Sequence, residues 1–447
     1  MIDYRDLALD LLKRARTEGA SSADLLIAEG TEFSVTVRKG EVETLKDAGS
    51  KALGVRVFVG KRTATVHTSD FSPSALQKLV SEGVAMARVT GEDPAAGLPD
   101  ELHPAENVEL GLFDPTLSDF PTAERIEWAR RAEAAALGAD PEITNSQGGS
   151  FSLGTGSVLL ANSLGFMGSY QASSASVSVV PIAERNGQME RDYWYTTGRS
   201  LRDLLAPEEV GRIAAQRTLR RLGAKKVPTQ EVPIVFDPET AAEIVGTVFS
   251  ALSGYSVFRN ATFLKDRIGE EVASPLLTLK DEGRRKGGLG ARPFDGEGLP
   301  TRTNVPLEKG VLRYYLCDSY SARKIGARPT GNARRGISGG PGVGAGDLSF
   351  EAGKTPPEEI VGGVARGLYV TDLIGFGVDL VSGNCSQGAV GHWIENGKFT
   401  HPVHEVTIAG NLKDILKNID AVGTDLEFRG TIASPTLRVR RMTVSGS

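Results

Sequence analysis

Residues 388–411 read GAVGHWIENGKFTHPVHEVTIAGN and hold three of the five histidines of the chain, together with the adjacent pair His404-Glu405. A metal-binding helix of the His-Glu type needs a second imidazole three or four residues on, so that both rings share one face and the carboxylate activates a bound water. Thr407, Ile408 and Ala409 stand there instead. Period-two alternation sets Val403, Glu405 and Thr407 against His404, Val406 and Ile408, and Pro402 precedes them. That pattern belongs to a strand. The stretch therefore predicts that His404 decorates a strand and that the C-terminal part of the molecule is built from β-structure.

Working outward, the final 220 or so residues read as mostly β, with heavy glycine punctuation. The run GISGGPGVGAG, Gly336 to Gly346, reads as a flexible surface loop and not as a ligand cradle. One long helix stands out. It follows a strand over Val232 to Phe236, takes Asp237 as N-cap and Pro238 as first residue, and buries Ile244, Val245, Val248, Phe249 and Leu252.

Toward the N-terminus, Leu7, Leu11, Leu12 and Ala15 stripe a helix that ends near Gly19. Alternating strands follow at Phe33 to Val37 and Leu53 to Val59, with hairpin turns at Lys39-Gly40 and Gly60-Lys61. Ser72 and Pro73 open a second helix running to about Arg88. Residues 91–109, GEDPAAGLPDELHPAENVE, read as a linker. Beyond it come an Ala-rich helix from Pro121 to Leu137, short alternating strands from Ser150 to about Tyr195 with a hairpin at Asn186-Gly187, and a helix from Glu208 to Leu222. The expected architecture is α+β: an N-terminal α/β domain with helices on a mixed or antiparallel sheet (1–108), a middle α+β segment (109–225) and a large β-rich C-terminal domain (226–447).

Composition limits the function. A chain of 447 residues suggests about three domains and buries roughly three quarters of its unfolded surface. With 51 basic and 56 acidic residues the net charge is -5, which offers no broad basic face for nucleic acid. No apolar run approaches a membrane span, and acids interrupt the N-terminal MIDYRDLALDLLKRARTEGA, so a cytoplasmic protein is expected. Cys317 and Cys385 are too far apart for a metal knuckle and read as reduced, structural thiols.

Familiar catalytic strings fail on context. Gly336-Ile337-Ser338-Gly339-Gly340 matches the nucleophile elbow, but Arg334-Arg335 before it and Gly-Pro-Gly after it deny the required strand and helix. Gly353-Lys354-Thr355 ends like a phosphate loop, yet Leu348 holds the position of its first glycine. On the long helix, Glu239 and Glu243 suit the helix dipole.

Several segments together carry a resemblance: Ala-Leu-Gly-Val-Arg-Val at 52–57, Phe-Asp-Gly-Glu-Gly at 294–298 followed by Pro-Thr-Arg at 300–302, Thr-Gly-Asn-Ala-Arg-Arg at 330–335, Trp-Ile-Glu-Asn-Gly at 393–397, and Glu405 to Leu412. In this order they resemble the TldD/PmbA family, and within it the PmbA (TldE) branch, over nearly the whole chain. The resemblance implies a two-chain particle enclosing a cleft. In the peptidase branch a helix after a strand carries H-E-x-x-x-H, and a downstream Cys completes a zinc site. On the helix that starts at Pro238 this chain places Glu243, Ile244 and Val248 at those positions, and the downstream segment before Ser434-Pro435-Thr436-Leu437 contains no Cys, with neither Cys317 nor Cys385 in that position. The expectation is therefore no catalytic residue and no metal in this chain, with zinc in a partner subunit.

The leading functional reading is a metal-free subunit that pairs with a TldD-like zinc metallopeptidase to form a chamber degrading peptides or unfolded polypeptide. An alternative is a stand-alone homodimer that binds peptides or a small ligand without catalysis. A third reading makes a metal cluster of His392, His401, His404 and Cys385. Asn384, Ser386, His392 and Asn396 are the candidate cleft residues, although turns and strand ends need the same residue types. The family's historical association with DNA gyrase implies no DNA contact, and no membrane partner is expected.

Overall fold

A computed structural model describes residues 3–101, 103–106, 108–375 and 377–446. The chain opens with α1 (Arg5–Thr17), strands β1 (Ser22–Arg38), β2 (Glu41–Val59) and β3 (Arg62–Thr68), and α2 (Pro73–Val89). Local signals act here as expected. Leu11, Leu12 and Ala15 are buried on α1, and the Ser72 hydroxyl accepts the Ala75 N–H at 3.4 Å to cap α2. Lys39 and Gly40 take φ of 51° and 79°, the mirror-image turn that matches strand twist.

Next come α3 (Thr122–Leu137), β4 (Ile143–Asn162), β5 (Met167–Arg185), β6 (Gln188–Arg191), β7 (Trp194–Gly198) and α4 (Pro207–Arg221). The short strands expected from Ser150 onward are in fact two long ones, of 20 and 19 residues, followed by two short ones. Their many glycines and serines resemble turn punctuation but lie where other backbone comes close. A Cβ on Gly149 would stand 2.2 Å from the Ala129 carbonyl oxygen.

Strands from both sides of residue 108 lie in one antiparallel seven-stranded sheet, ordered β3-β2-β1-β4-β5-β6 with β7 also on β5. Both helix pairs cover the same face of it. Leu25, Ile27, Leu53 and Val55 pack under α1 and α2, while Phe33, Val35, Phe151 and Val177 pack under α3 and α4. On β1 these are all odd positions, so they share one face.

The remainder contains β8 (Gln230–Phe236), α5 (Pro238–Leu252), α6 (Gly254–Phe258), β9 (Leu279–Glu282), β10 (Thr303–Glu308), β11 (Val311–Leu312), α7 (Ser319–Ile325), β12 (Ala333–Arg334), β13 (Gly342–Val343), β14 (Asp347–Phe350) and α8 (Pro357–Gly362). It ends with β15 (Arg366–Ile374), β16 (Asn384–Glu395), β17 (Lys398–Asn411), α9 (Leu412–Lys417), β18 (Ile419–Val422), β19 (Ile432–Ala433) and β20 (Leu437–Ser445). Strands β8, β15, β16, β17 and β20 close on themselves into a barrel, because Thr407–Ala409 pairs with Thr443–Ser445. His404 does lie on a strand, but the simple alternation fails there. Val390 faces both His404 and Glu405 across a bulge, Glu405 takes φ of 50°, and Val403 joins Val406 and Ile408 inside.

The second face of the long sheet packs on the C-terminal half through Leu26, Leu160, Phe166 and Phe294. Two segments read as loose are in fact docked. Asp93 accepts from the Tyr320 hydroxyl and Lys324 Nζ at 2.7 Å each, and Arg323 holds the Ala95 and Gly97 carbonyls, which straps the proline-rich segment to α7. Within the glycine-rich run, Ile337 packs against the Leu26 cluster and β13 pairs with β12.

Candidate functional site

The helix singled out by sequence, α5, lies across the mouth of the barrel. Its start is fixed by Asp237, whose Oδ1 accepts the Thr240 N–H and hydroxyl at 2.9 Å each, while the Asp237 N–H donates to the Val370 carbonyl of β15 at 3.0 Å. Ile244 then faces Phe236, Leu373, Cys385, Ile408 and Met442, one residue from each barrel strand, with Leu412 and Ile415 of α9 completing the wall. The space left there is about 30 Å³, and Glu243, Thr247 and Gln387 border it beside the apolar side chains.

Above it opens a groove of about 560 Å³ between α5 and the turn after β15, lined by Glu243, Thr247, Ser250, Gly375, Gly377 and Gln387 among others. Its hydroxyls are already used. Thr247 Oγ1 donates to the Glu243 carbonyl at 2.8 Å and Ser250 Oγ to the Gly246 carbonyl at 2.9 Å. Desolvation by the groove wall, with Asp372 and Asp237 nearby, raises the Glu243 carboxyl above its ordinary range. Burial likewise pushes the Cys385 thiol up, which makes it a poor nucleophile.

Of the sequence candidates, Glu243 and Ile244 line this site, and Val248 is buried beneath the same helix. Among the described residues Asn384, Ser386, His392 and Asn396 do not line it. Asn384 accepts from Asn411 Nδ2 at 3.0 Å, Ser386 points to the side of β16 away from Cys385 and Gln387, His392 Nε2 meets the Arg220 carbonyl at 3.2 Å, and Asn396 forms a hairpin tip with φ of 50°. Gln387 lines the groove and was not among the sequence candidates, while Cys385, named there only for a metal cluster, lines the smaller space beneath α5. Strand parity, which sets Cys385 and Gln387 on the face opposite Asn384 and Ser386, held that signal.

A zinc ion does not fit this donor set. Ile244 and Val248 carry no ligand atom, and the segment before Ser434 brings Ile432 beside Gly246, where a Cβ would be 3.5 Å from Ile432 Cδ1. The alternative cluster is scattered, with His404 against Glu190 at 3.5 Å and His401 against Thr400. Among the described residues no group of three or more His, Cys, Asp or Glu side chains could hold a metal ion, and no helix is long and apolar enough to cross a membrane.

Comparison with known proteins fits this geometry. PmbA/TldA metallopeptidase domain 1 matches residues 23–87, the central domain 115–222 and the C-terminal domain 229–446. The chain is 40% identical to Metalloprotease PmbA of Escherichia coli O157:H7 over 96% of this chain and 93% of that one. It is 35% identical to the Metalloprotease PmbA homolog of Haemophilus influenzae, over 96% and 94%. The crystal structure of TldE from Thermococcus kodakarensis superimposes with a TM-score of 0.89 over 98% and 99% of the two chains at 22% identity, a likeness of fold. With all three domains matched in order, the chain belongs to the PmbA/TldD family, in its PmbA/TldE branch.

Proposed function

We propose that this chain is the metal-free subunit of a cytoplasmic two-chain peptidase, pairing with a TldD-type zinc metallopeptidase and forming part of the wall of a chamber that degrades peptides or unfolded polypeptide. The observation that carries this reading is α5. At the positions where the peptidase branch needs two imidazoles and a base, the helix presents Glu243 to a groove and Ile244 and Val248 to an apolar core. Family architecture kept without ligand chemistry is what a structural partner requires. A relative named as a TldD homolog in Haemophilus influenzae aligns with 100% of this chain at 24% identity, so a peptidase-type chain of similar layout is a reasonable partner. The two buried, unpaired cysteines suit a reducing compartment.

In this reading the groove contributes shape and main-chain contacts, with Gln387 already oriented by donation to the Gly375 carbonyl at 3.3 Å. Metal analysis and peptide hydrolysis, on the purified chain alone and with a co-expressed TldD-type chain, test it. The expected outcome is substoichiometric zinc and no hydrolysis alone, with both appearing in the complex. Stoichiometric zinc and hydrolysis by the isolated chain would overturn it, and a chain that ignores the peptidase but binds peptide would favour a stand-alone binding protein.

A further inference from the structure

Strand β8 parts from its neighbour at its start, and the gap is lined by arginines. It pairs with β15 only from Ile234 and Leu368 onward, so residues 230–233 and 363–366 stand apart around a space of about 510 Å³. From β20, on the other side of β8, Arg438 and Arg440 line the same space. They lie two positions apart and so on one face, while Leu437 and Val439 are buried in the barrel. Asp420 of β18 accepts from Arg438 Nε at 2.8 Å and lies 3.6 Å from Arg440 Nε, which holds the two guanidiniums beside each other. The Arg438 side chain is only 21% exposed and fits because Gly363 is bare, since a Cβ there would stand 2.9 Å from its Nη1. Arg366 completes the rim. Its guanidinium lies over the Trp393 ring at 5.6 Å, and among the described residues it has no carboxylate partner, although Glu395 stands opposite it on β16.

The charge in this space is unbalanced. Glu231 is engaged by Arg441, so the Asp420 carboxylate alone stands against the three guanidiniums. The two positive charges left over match the roughly two negative charges of a phosphate monoester at neutral pH, and planar guanidinium forks take its oxygens two at a time. A space of this size also has room for the organic group that the phosphate carries. Solvated arginines on a strand spread into water, whereas these three border one concavity, with Arg438 anchored by Asp420 and Arg366 laid on an indole. We infer that the cavity is a binding site for the phosphate group of a small phosphorylated molecule, with Arg366 and Arg440 as its free forks and Arg438 as the anchored one. No residue that lines it borders the groove at α5, so the site is independent of the choice of peptidase partner.

Calorimetric titration of the full chain with inorganic phosphate, glycerol 3-phosphate and acetate in low-salt buffer tests it. Both phosphates should saturate one site, with a Kd at or below about 1 mM for glycerol 3-phosphate, and acetate should bind at least about tenfold more weakly. Arg366→Gln and Arg440→Gln change exposed side chains, so each variant should fold, as judged by circular dichroism, and weaken glycerol 3-phosphate binding at least about tenfold. Asp420→Asn should act in the opposite direction and tighten binding, because it removes the carboxylate that occupies Arg438 and Arg440. No saturation by either phosphate, equal affinity for acetate, unchanged binding in both arginine variants, or weaker binding by a folded Asp420→Asn protein would each overturn it. Vesicles containing phosphatidic acid separate a lipid source from a soluble one, and retention on them without binding of the soluble phosphates would overturn it as well.

Discussion

Asp24 shows how single residues hold the two halves of the molecule together. It is buried on β1, accepts from Arg56 Nε of β2 at 3.1 Å, and forms a second ion pair with Arg335 from the glycine-rich segment. Burial alone would raise its pKa, but the two guanidiniums prevail and hold the carboxyl below its ordinary range. Asp24→Ala would leave the buried Arg335 without its ion pair and Arg56 with only the more distant Glu297, and should cost about 3–5 kcal/mol in urea unfolding. Nearby, Glu297 lies 3.9 Å from Arg56 and accepts the Ser319 N–H at 2.8 Å. Burial first, then Asp295, pushes its pKa up to about 7. With the folded value above the unfolded one, this group's contribution is complete below about pH 4.5 and is lost as pH rises through 7. Glu297→Gln should therefore flatten the fall in stability between pH 5 and pH 8, by about 1–3 kcal/mol, when urea midpoints are compared at both pH values. Arg56, Glu297 and Arg335 of this cluster were visible in the motifs at 52–57, 294–298 and 330–335, and Asp24 lay in none of them. Their meeting was not, because ion pairs separated by hundreds of residues leave no periodic signal.

Elements with one dominant neighbour were legible, and those shaped by several neighbours were not. Helix α5 could be read from its cap, its proline and its apolar stripe, and the structure adds only what it covers. Strand β17 was read as a strand, but its bulge at Glu405 is set by the opposing β16. The run from Gly336 to Gly346 looked loose because glycine usually marks freedom. Here Gly54 of β2 lets the Ile337 carbonyl approach so closely that a Cβ would stand 2.0 Å from its oxygen. Gly54→Ala should lift that segment from the sheet, with a loss of about 1–3 kcal/mol in thermal unfolding. Limited trypsin digestion should then cut faster after Arg334 or Arg335. Unchanged cutting would mean that the segment is held by other contacts.

At the scale of the whole molecule, the sequence alone determined the α+β class, most helices and hairpins, the family, and the donor-poor face of α5. These rest on local chemistry: period, caps, turn residues, and the presence or absence of ligand atoms at fixed spacing. Only the tertiary structure decided that strands on either side of residue 108 share one antiparallel sheet, that five strands close into a barrel under α5, and that Gln387 borders the groove while Cys385 lines the smaller space beneath α5. The physical reason is range. Strand partners and barrel closure depend on which distant segments bury each other's apolar faces, and β2 and β5 match in length and register while their side chains differ. A sequence states what each segment prefers to bury, and the assembled chain decides against what.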